Sequence, residues 1–364
     1  MNEKELLTRS ELVYILIGTI IGIGLFQLPY EIVKKAGQDG WIPTILGGVY
    51  PLYIVGISRL IINKAPNDNI VTLSKKYFGN FLGTIFSLLY LLEFVVVISS
   101  VTAGLTRILR IYVVAFLPYI NIAITIIFVS MYATYSGIKN LARMQKLSFY
   151  ILILITAISI GSIKKGSILN LMPLVENGII SSIKATRVTI AQYSGMEILL
   201  LIYPFIKDKK SIYKDSLKSL LVCVILYTWV VFITIYYLGP DIVVKSPWPF
   251  SLVAESIEFP VISNTRFIFI FLWSSVVFVT IANSLNAVSL GLSFMTGKNY
   301  KNICIFISPL MIYLATIYKT EVVRRKIVSI FTDYTVGFNV LYITMLAILM
   351  YISKPKVLKD KIQN

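Results

Sequence analysis

Residues 18–30 read GTIIGIGLFQLPY, inside an apolar run from residue 12 to residue 33 that is long enough to cross a bilayer. Three glycines and Pro29 interrupt this stretch. In a helix interior, glycine costs about 1 kcal/mol relative to alanine and proline about 3 kcal/mol. Irregular backbone survives in hydrocarbon only where it is buried in protein or lines a cavity. The stretch therefore predicts a discontinuous helix whose break forms a small-molecule site. The alternative is a continuous helix whose glycines pack closely against its neighbours.

The composition of the whole chain indicates a membrane protein. Its 364 residues are 57% hydrophobic and only 14% charged, whereas soluble domains carry about 25% charged residues. We therefore predict an all-α polytopic membrane protein with a single integral membrane domain over 1–364. The basic residues behind the net charge of +17 lie between apolar runs, which suits an anionic lipid bilayer rather than nucleic acid.

The sequence lacks the residues that most metal and catalytic sites need. It contains no histidine, so a histidine metal site or a serine–histidine hydrolase arrangement is excluded. Walker, Rossmann and zinc motifs are also missing. We expect no metal, no cofactor and no enzymatic activity.

The apolar runs predict ten transmembrane helices. Because ten is even, both termini lie on one side, and a modest excess of basic residues in the loops on that side favours the cytoplasm. The densest basic loop is residues 207–210, which read KDKK. The predicted spans are 12–33, 41–62, 80–103, 111–133, 147–163, 186–206, 217–239, 266–292, 302–319 and 333–352.

The two halves of the chain resemble each other in one feature. If the ten spans are divided into two fives, span one corresponds to span six, and span six is also interrupted, by Gly195 and Pro204. Five spans per half is odd, so the second half is inverted relative to the first. We place the repeats at about 10–165 and 185–352. Paired interruptions at matching positions are a sequence sign of a transporter-type binding site.

The two breaks supply the first set of candidate binding residues. Broken helices expose backbone amides that suit a carboxylate and carbonyls that suit an ammonium group or a cation. An α-amino acid carries both charges, so it is the ligand class that these breaks fit best. For each glycine the alternative is close helix packing. The candidates are Thr19, Gly22, Ile23 and Gly24 in span one, and Tyr193, Ser194 and Gly195 in span six.

Two carboxyl groups lie within predicted spans. Glu93 is in span three and Glu197 is in span six, and intramembrane carboxyls usually face the bundle interior or a watery cavity. Each is a candidate proton-coupling group or ammonium partner. The alternative is a protonated or hydrogen-bonded side chain that holds a broken helix together. Val97 lies one turn after Glu93 and is a candidate for the apolar wall of the site.

Span eight carries polar residues on one face. Thr280, Asn283 and Ser284 have i, i+3, i+4 spacing, so they either line the cavity or bond neighbouring helices. We choose Thr280 as the ligand contact. Asp333 and Asn339 in span ten are weaker candidates.

Several of these segments resemble a known family. The chain resembles the B subunits of Ger-type nutrient germinant receptors of spore-forming bacteria, in the amino acid–polyamine–organocation superfamily. The resemblance covers about residues 10–352. It is carried by residues 22–30 (GIGLFQLPY), 35–42 (KAGQDGWI), 75–83 (KKYFGNFLG) and 194–197 (SGME), followed by Pro204.

The resemblance implies a LeuT-like fold of two inverted five-helix repeats with helices one and six broken. It also implies sensing of an amino acid or similar nutrient germinant in the spore inner membrane, with A-type and C-type receptor subunits as partners. By that likeness the pocket would involve spans one, three, six and eight. The alternative function is an ion-coupled secondary amino acid permease, since one scaffold can serve either task.

Overall fold

The computed structural model describes residues 6–176, 178–255 and 265–352, and within these ranges it consists of helices without an extended strand. In chain order the α-helices are α1 (Arg9–Ile20), α2 (Gly24–Ala36), α3 (Trp41–Gly47), α4 (Val49–Lys64), α5 (Ile70–Phe78), α6 (Asn80–Tyr112), α7 (Tyr119–Tyr135), α8 (Ile138–Ile158), α9 (Ile179–Gln192), α10 (Leu199–Ile202), α11 (Ile212–Leu238), α12 (Pro240–Val243), α13 (Pro249–Glu255), α14 (Thr265–Thr296), α15 (Tyr300–Ile317) and α16 (Glu321–Ile352).

The described helices contain seven segments that are long and apolar enough to cross a membrane. Two further segments are helix pairs bent at a short break, which raises the number to as many as nine. The 17-residue apolar helix α7 occupies the position of the fourth predicted span. The exact number of ten spans stays a prediction.

Both predicted interruptions are confirmed. The chain bends by 50° between α1 and α2, and by 47° between α9 and the segment Met196–Phe205. In span one the break falls at residues 21–23, and Pro29 lies inside the continuous helix α2. The glycine-containing stretch therefore breaks this helix, while the proline does not.

The two broken helices run in opposite directions. Where span one starts and span six ends, the Leu7 amide donates to the Phe205 carbonyl at 2.8 Å. At mid-length, a β-carbon built on Gly195 would lie 3.1 Å from the Thr19 carbonyl oxygen. These contacts bring the start of span one against the end of span six and set the two breaks side by side. The residue limits of the two repeats stay a prediction.

The last helix starts earlier than the hydropathy predicts. We expected span ten to begin at Asp333, but α16 begins at Glu321. The added turns carry Arg324 and Arg325, which bond Glu321 from the i+3 and i+4 positions. Such pairs support a helix that the hydrophobicity of the segment does not.

Some of the basic residues that were counted to predict the membrane orientation lie outside the described part of the chain. They are Lys4, Lys354, Lys356, Lys359 and Lys361.

Candidate functional site

The first break is held open by side chains of neighbouring helices. Ile21 has an extended conformation, with φ −87° and ψ 103°, so the carbonyls before it lose their helical amide partners. The Thr280 hydroxyl of α14 lies 2.8 Å from the Gly18 carbonyl oxygen and 3.0 Å from that of Ile21. The Tyr227 hydroxyl of α11 donates to the Ile20 carbonyl at 2.9 Å. Donors from two other helices thus replace the missing helical bonds.

The second break depends on a glycine conformation. Gly195 has φ +119°, a value that side-chain-bearing residues rarely adopt. Its amide donates to the Glu197 carboxylate at 2.7 Å. Tyr50 of α4 donates to the other oxygen of the same carboxylate. Glu197 therefore closes a local loop around the break.

A cavity of about 410 Å³ lies between the two breaks. Its wall combines apolar surface from α6 with polar groups from both broken helices. Of the residues predicted for the site, the cavity wall contains Thr19, Gly22, Ile23, Gly24, Glu93, Val97, Ser194 and Thr280.

Glycine at two wall positions also allows close packing. A β-carbon on Gly22 would lie 3.0 Å from the Thr280 side chain. One on Gly24 would lie 2.4 Å from the Gln192 side-chain oxygen. The packing interpretation and the cavity interpretation thus apply to the same glycines, because each lines the cavity while touching a neighbouring helix.

Of the two glutamates predicted within spans, Glu93 is the one that lines the cavity. It is only 2% exposed. One carboxylate oxygen accepts a hydrogen bond from the Ser194 hydroxyl, and the other accepts one from the Asn339 side-chain amide. Glu93 thereby joins α6, the second break and α16 at one point of the wall.

Three predicted residues lie beside the cavity without lining it. Gly195 and Glu197 bond each other, as described above. Tyr193 is buried and donates to the Thr44 carbonyl at 2.9 Å. The geometry of Glu197 matches the structural alternative, in which a hydrogen-bonded carboxyl holds a broken helix together.

The polar residues of span eight bind neighbouring backbone and side chains. The Asn283 side-chain amide donates to the Ile15 carbonyl at 3.2 Å and to the Thr19 hydroxyl at 2.8 Å. The Ser284 hydroxyl donates within its own helix to the Thr280 carbonyl at 2.9 Å. The interpretation of Asn283 as a bond between helices is therefore confirmed.

Sequence reasoning missed the charged end of the cavity. Arg324 is 1% exposed and donates to the Gln27 side-chain oxygen at 2.7 Å and to Glu321 at 2.5 Å. Arg325 bonds Glu31 at 2.7 Å and Glu321 at 2.8 Å. These residues connect α16 to α2 where the cavity wall becomes polar. The i, i+3, i+4 spacing of Glu321, Arg324 and Arg325 was the signal that could have found them.

A second ion pair closes the same end of the wall. Arg187 of α9 bonds Asp333 of α16 through two contacts of 3.0 and 2.8 Å. Asp333, a weak candidate from sequence, thus lines the cavity as half of an ion pair. Arg187 itself is exposed. Each broken helix therefore has a charged link to α16.

Comparison with known structures identifies the fold. The structure of MhsT, solved in complex with L-phenylalanine, matches with a TM-score of 0.70 over 95% of this chain and 88% of that one. The sequences are 12% identical, so this likeness concerns the fold alone. The chain has the LeuT-like transporter fold.

Comparison of sequences gives the family. The chain is 23% identical to spore germination protein GerQB of Bacillus cereus over 338 residues, which are 91% of this chain and 92% of the relative. It is 27% identical to spore germination protein A2 of Bacillus subtilis over 255 residues, 70% of each chain. A family model described as spore germination protein matches residues 6–323. The chain therefore belongs to the spore germination protein family.

Proposed function

We propose that this chain is the transporter-fold subunit of a spore nutrient germinant receptor, and that it binds an amino acid or similar small germinant between its two broken helices. It would act in the spore inner membrane with both termini in the cytoplasm, together with A-type and C-type receptor subunits. Binding would shift the helices and trigger germination, which requires the germinant to bind one state more tightly than the other.

The observation that carries this proposal is the cavity of about 410 Å³ between the two breaks. Its volume lies at the lower end of the roughly 300–1,000 Å³ typical of small-molecule sites. The Glu93 carboxylate on its wall suits an ammonium group. The start of α2 has no side-chain cap. The Leu25 and Phe26 amides already donate to the Gly22 and Ile23 carbonyls at 3.3 and 3.2 Å, so the Gly24 amide at the positive end of the helix is the one that suits a carboxylate. A zwitterion would satisfy both groups at once.

The rival function is an ion-coupled amino acid permease. Three carbonyls of the first break, those of Gly18, Ile20 and Ile21, already accept hydrogen bonds from Thr280 and Tyr227. This arrangement leaves fewer backbone acceptors for a coupling cation, which favours the receptor. Uptake of labelled amino acids into proteoliposomes separates the two functions, because robust ion-driven accumulation by this chain alone would support the permease.

Filling the cavity tests the proposed site directly. Val97 is half-buried on its wall, so Val97→Phe places an aromatic ring where the ligand would sit. Val129 is 44% exposed on α7, and Val129→Phe is the matched control. We expect spores with Val97→Phe to lose most of the response to their germinant, and spores with the control to respond normally at equal protein abundance. A normal response of Val97→Phe spores would place the ligand elsewhere.

A further inference from the structure

A second cavity, of about 270 Å³, lies away from the proposed germinant site. It is formed where the chain leaves the second broken helix and enters α11, and α4 closes its other side. This is the predicted cytoplasmic end of the molecule, and it includes the KDKK loop. The polar residues of its wall are Arg59, Asn63, Lys209, Lys210, Tyr213 and Lys214.

The wall of this cavity is strongly basic. Four of its side chains are cations, and none of its lining residues in the described chain is acidic. The two nearby acids have other contacts: Asp208 accepts the Lys210 amide at 3.1 Å, and Asp215 is bonded by Arg9 at 3.1 Å. Cations that converge on a concave surface without carboxylates create a strong site for an anion.

None of the four cations forms an ion pair in the part of the chain that the structure describes. The Arg59 guanidinium stacks 4.4 Å above the centre of the Tyr213 ring. This stacking leaves the edge of the guanidinium able to donate two parallel hydrogen bonds, the geometry that matches a phosphate. Lys210 and Lys214 are exposed and form no ion pair among the described residues.

Lys209 is the inner cation. Its ammonium group donates to the Tyr203 carbonyl at 2.5 Å and to the Pro204 carbonyl at 2.8 Å. An ammonium group has three donors, so one remains for a ligand. Burial lowers the pKa of Lys209 to about 8, and a bound anion would offset this desolvation by favouring the charged form.

The remaining lining residues of the cavity are apolar. They are Val55, Ile62, Leu199 and Ile212, and all four are buried. The cavity therefore pairs a cationic rim with an aliphatic floor at the end of two membrane helices. Its volume is below the roughly 300 Å³ at which drug-sized sites begin, so it suits a head group rather than a large ligand.

We propose that this cavity binds a phosphate group, with Arg59, Lys209, Lys210 and Lys214 as its cationic partners. The phosphate would come either from an anionic phospholipid head group or from free inorganic phosphate. Occupancy would tie α4 and the start of α11 to the end of the second broken helix, because Lys209 bonds the carbonyls there.

The test uses the full chain in a neutral detergent. Native mass spectrometry measures binding of phosphatidylglycerol, with diacylglycerol as the lipid that lacks phosphate, and calorimetry measures binding of inorganic phosphate. Arg59→Gln with Lys214→Gln removes two cations from the cavity. Arg143→Gln with Lys146→Gln removes one arginine and one lysine from exposed positions elsewhere on the same predicted side.

We expect the wild-type chain to bind phosphatidylglycerol saturably and more tightly than diacylglycerol. The cavity variant should lose about 30-fold in affinity and the control variant should keep wild-type affinity. Binding of phosphatidylglycerol alone identifies a lipid site, whereas comparable binding of inorganic phosphate identifies a site for the phosphate group itself.

Two results would overturn the proposal. One is a wild-type chain that binds neither phosphatidylglycerol nor inorganic phosphate saturably. The other is a cavity variant that binds like the control, which would mean that surface charge alone attracts the lipid. If the double variant does not purify as a folded chain, Lys214→Gln alone takes its place. Its exposed side chain has no ion pair in the described chain, and a loss of about fivefold is expected.

Discussion

Replacing Thr280 by valine tests whether the first break must be held open by a hydrogen bond from α14. The Thr280 hydroxyl has one hydrogen, which it shares between the Gly18 and Ile21 carbonyls at 2.8 and 3.0 Å. Valine has nearly the same shape, so the substitution removes this bond and little packing. Because the helix is broken here, no amide of the described backbone replaces the lost donor.

The expected loss of stability follows from leaving these carbonyls without a donor. A bond between membrane helices is worth about 0.6 kcal/mol on average and about 1.7 at most. A buried acceptor left without a donor costs about 1–3 kcal/mol, and two carbonyls share the loss. We therefore expect Thr280→Val to lower the free energy of unfolding by about 2 kcal/mol. If the open break is the germinant-binding geometry, half-maximal germination would need up to about 30-fold more germinant.

Thr134→Val is the matched control. The Thr134 hydroxyl of α7 donates to the Ala282 carbonyl of α14 at 3.0 Å. Like the Thr280 bond, this bond is buried and joins α14 to another helix. Ala282 lies inside continuous helix, so its carbonyl keeps a backbone amide partner when the threonine is lost. This control should cost only about 0.6 kcal/mol and should leave the germinant response near normal.

The assay combines denaturant unfolding of the purified chains with dose–response curves of spore germination, at protein amounts matched by immunoblot. Thr280→Ser keeps the hydroxyl, so this variant should keep most of the unfolding free energy and most of the germinant sensitivity of the wild-type chain. The reasoning is refuted if Thr280→Val and Thr134→Val cost the same stability. It is equally refuted if the serine variant responds as poorly as the valine variant.

Two further predictions concern the residues around the breaks. Gly22→Val should abolish the germinant response while the chain stays in the membrane, because a β-carbon there would meet Thr280 at 3.0 Å. Gly56→Val, at a position with no atom within 4 Å, should respond normally in the same spore assay. Glu93→Gln should remove the response with little loss of protein, because glutamine can keep the hydrogen bonds to Ser194 and Asn339 but has no negative charge. Glu197→Ala should instead lower stability by about 1–3 kcal/mol in denaturant unfolding, since it leaves the Gly195 amide unpaired; equal behaviour of the two glutamate variants would contradict this distinction.

The breaks could be predicted from sequence because their cause is local. Glycine weakens a helix wherever it occurs, and an apolar run of membrane length makes the weakness visible. The 50° and 47° bends both fall at glycine-containing positions of the predicted segments. The antiparallel arrangement of the two broken helices could be predicted from the odd number of spans per half. That number is read from the sequence and does not depend on how the helices pack.

The roles of the two glutamates could not be told apart from sequence. Both lie in apolar helices, and both are buried. Glu197 turns to the Gly195 amide two residues away because that glycine adopts φ +119°, whereas Glu93 meets groups from two distant segments at the cavity wall. The difference arises from backbone conformation and from contacts between helices, neither of which is encoded in the residue type.

The charged end of the cavity escaped prediction for a related reason. A hydropathy profile treats arginine as the end of a span, but Arg324 is buried because Gln27 and Glu321 satisfy its guanidinium. Gln27 is close in space and nearly 300 positions away in sequence. A hydropathy profile treats every residue as if it faced lipid, whereas the Arg324 side chain faces protein.

The same principle explains why a cavity exists between helices that are otherwise closely packed. At each break, backbone groups without helical partners bond other groups: α11 and α14 supply hydroxyls to the first break, while Glu197 and Tyr50 complete the second. Residues of both breaks line the shared cavity together with Thr280 and Glu93. Because these backbone groups already have hydrogen bonds within the protein, the two breaks keep their shape without a ligand. The cost of opening the helices is then already met in the unliganded protein, so a small zwitterion would need to supply only the energy that separates two states of the receptor.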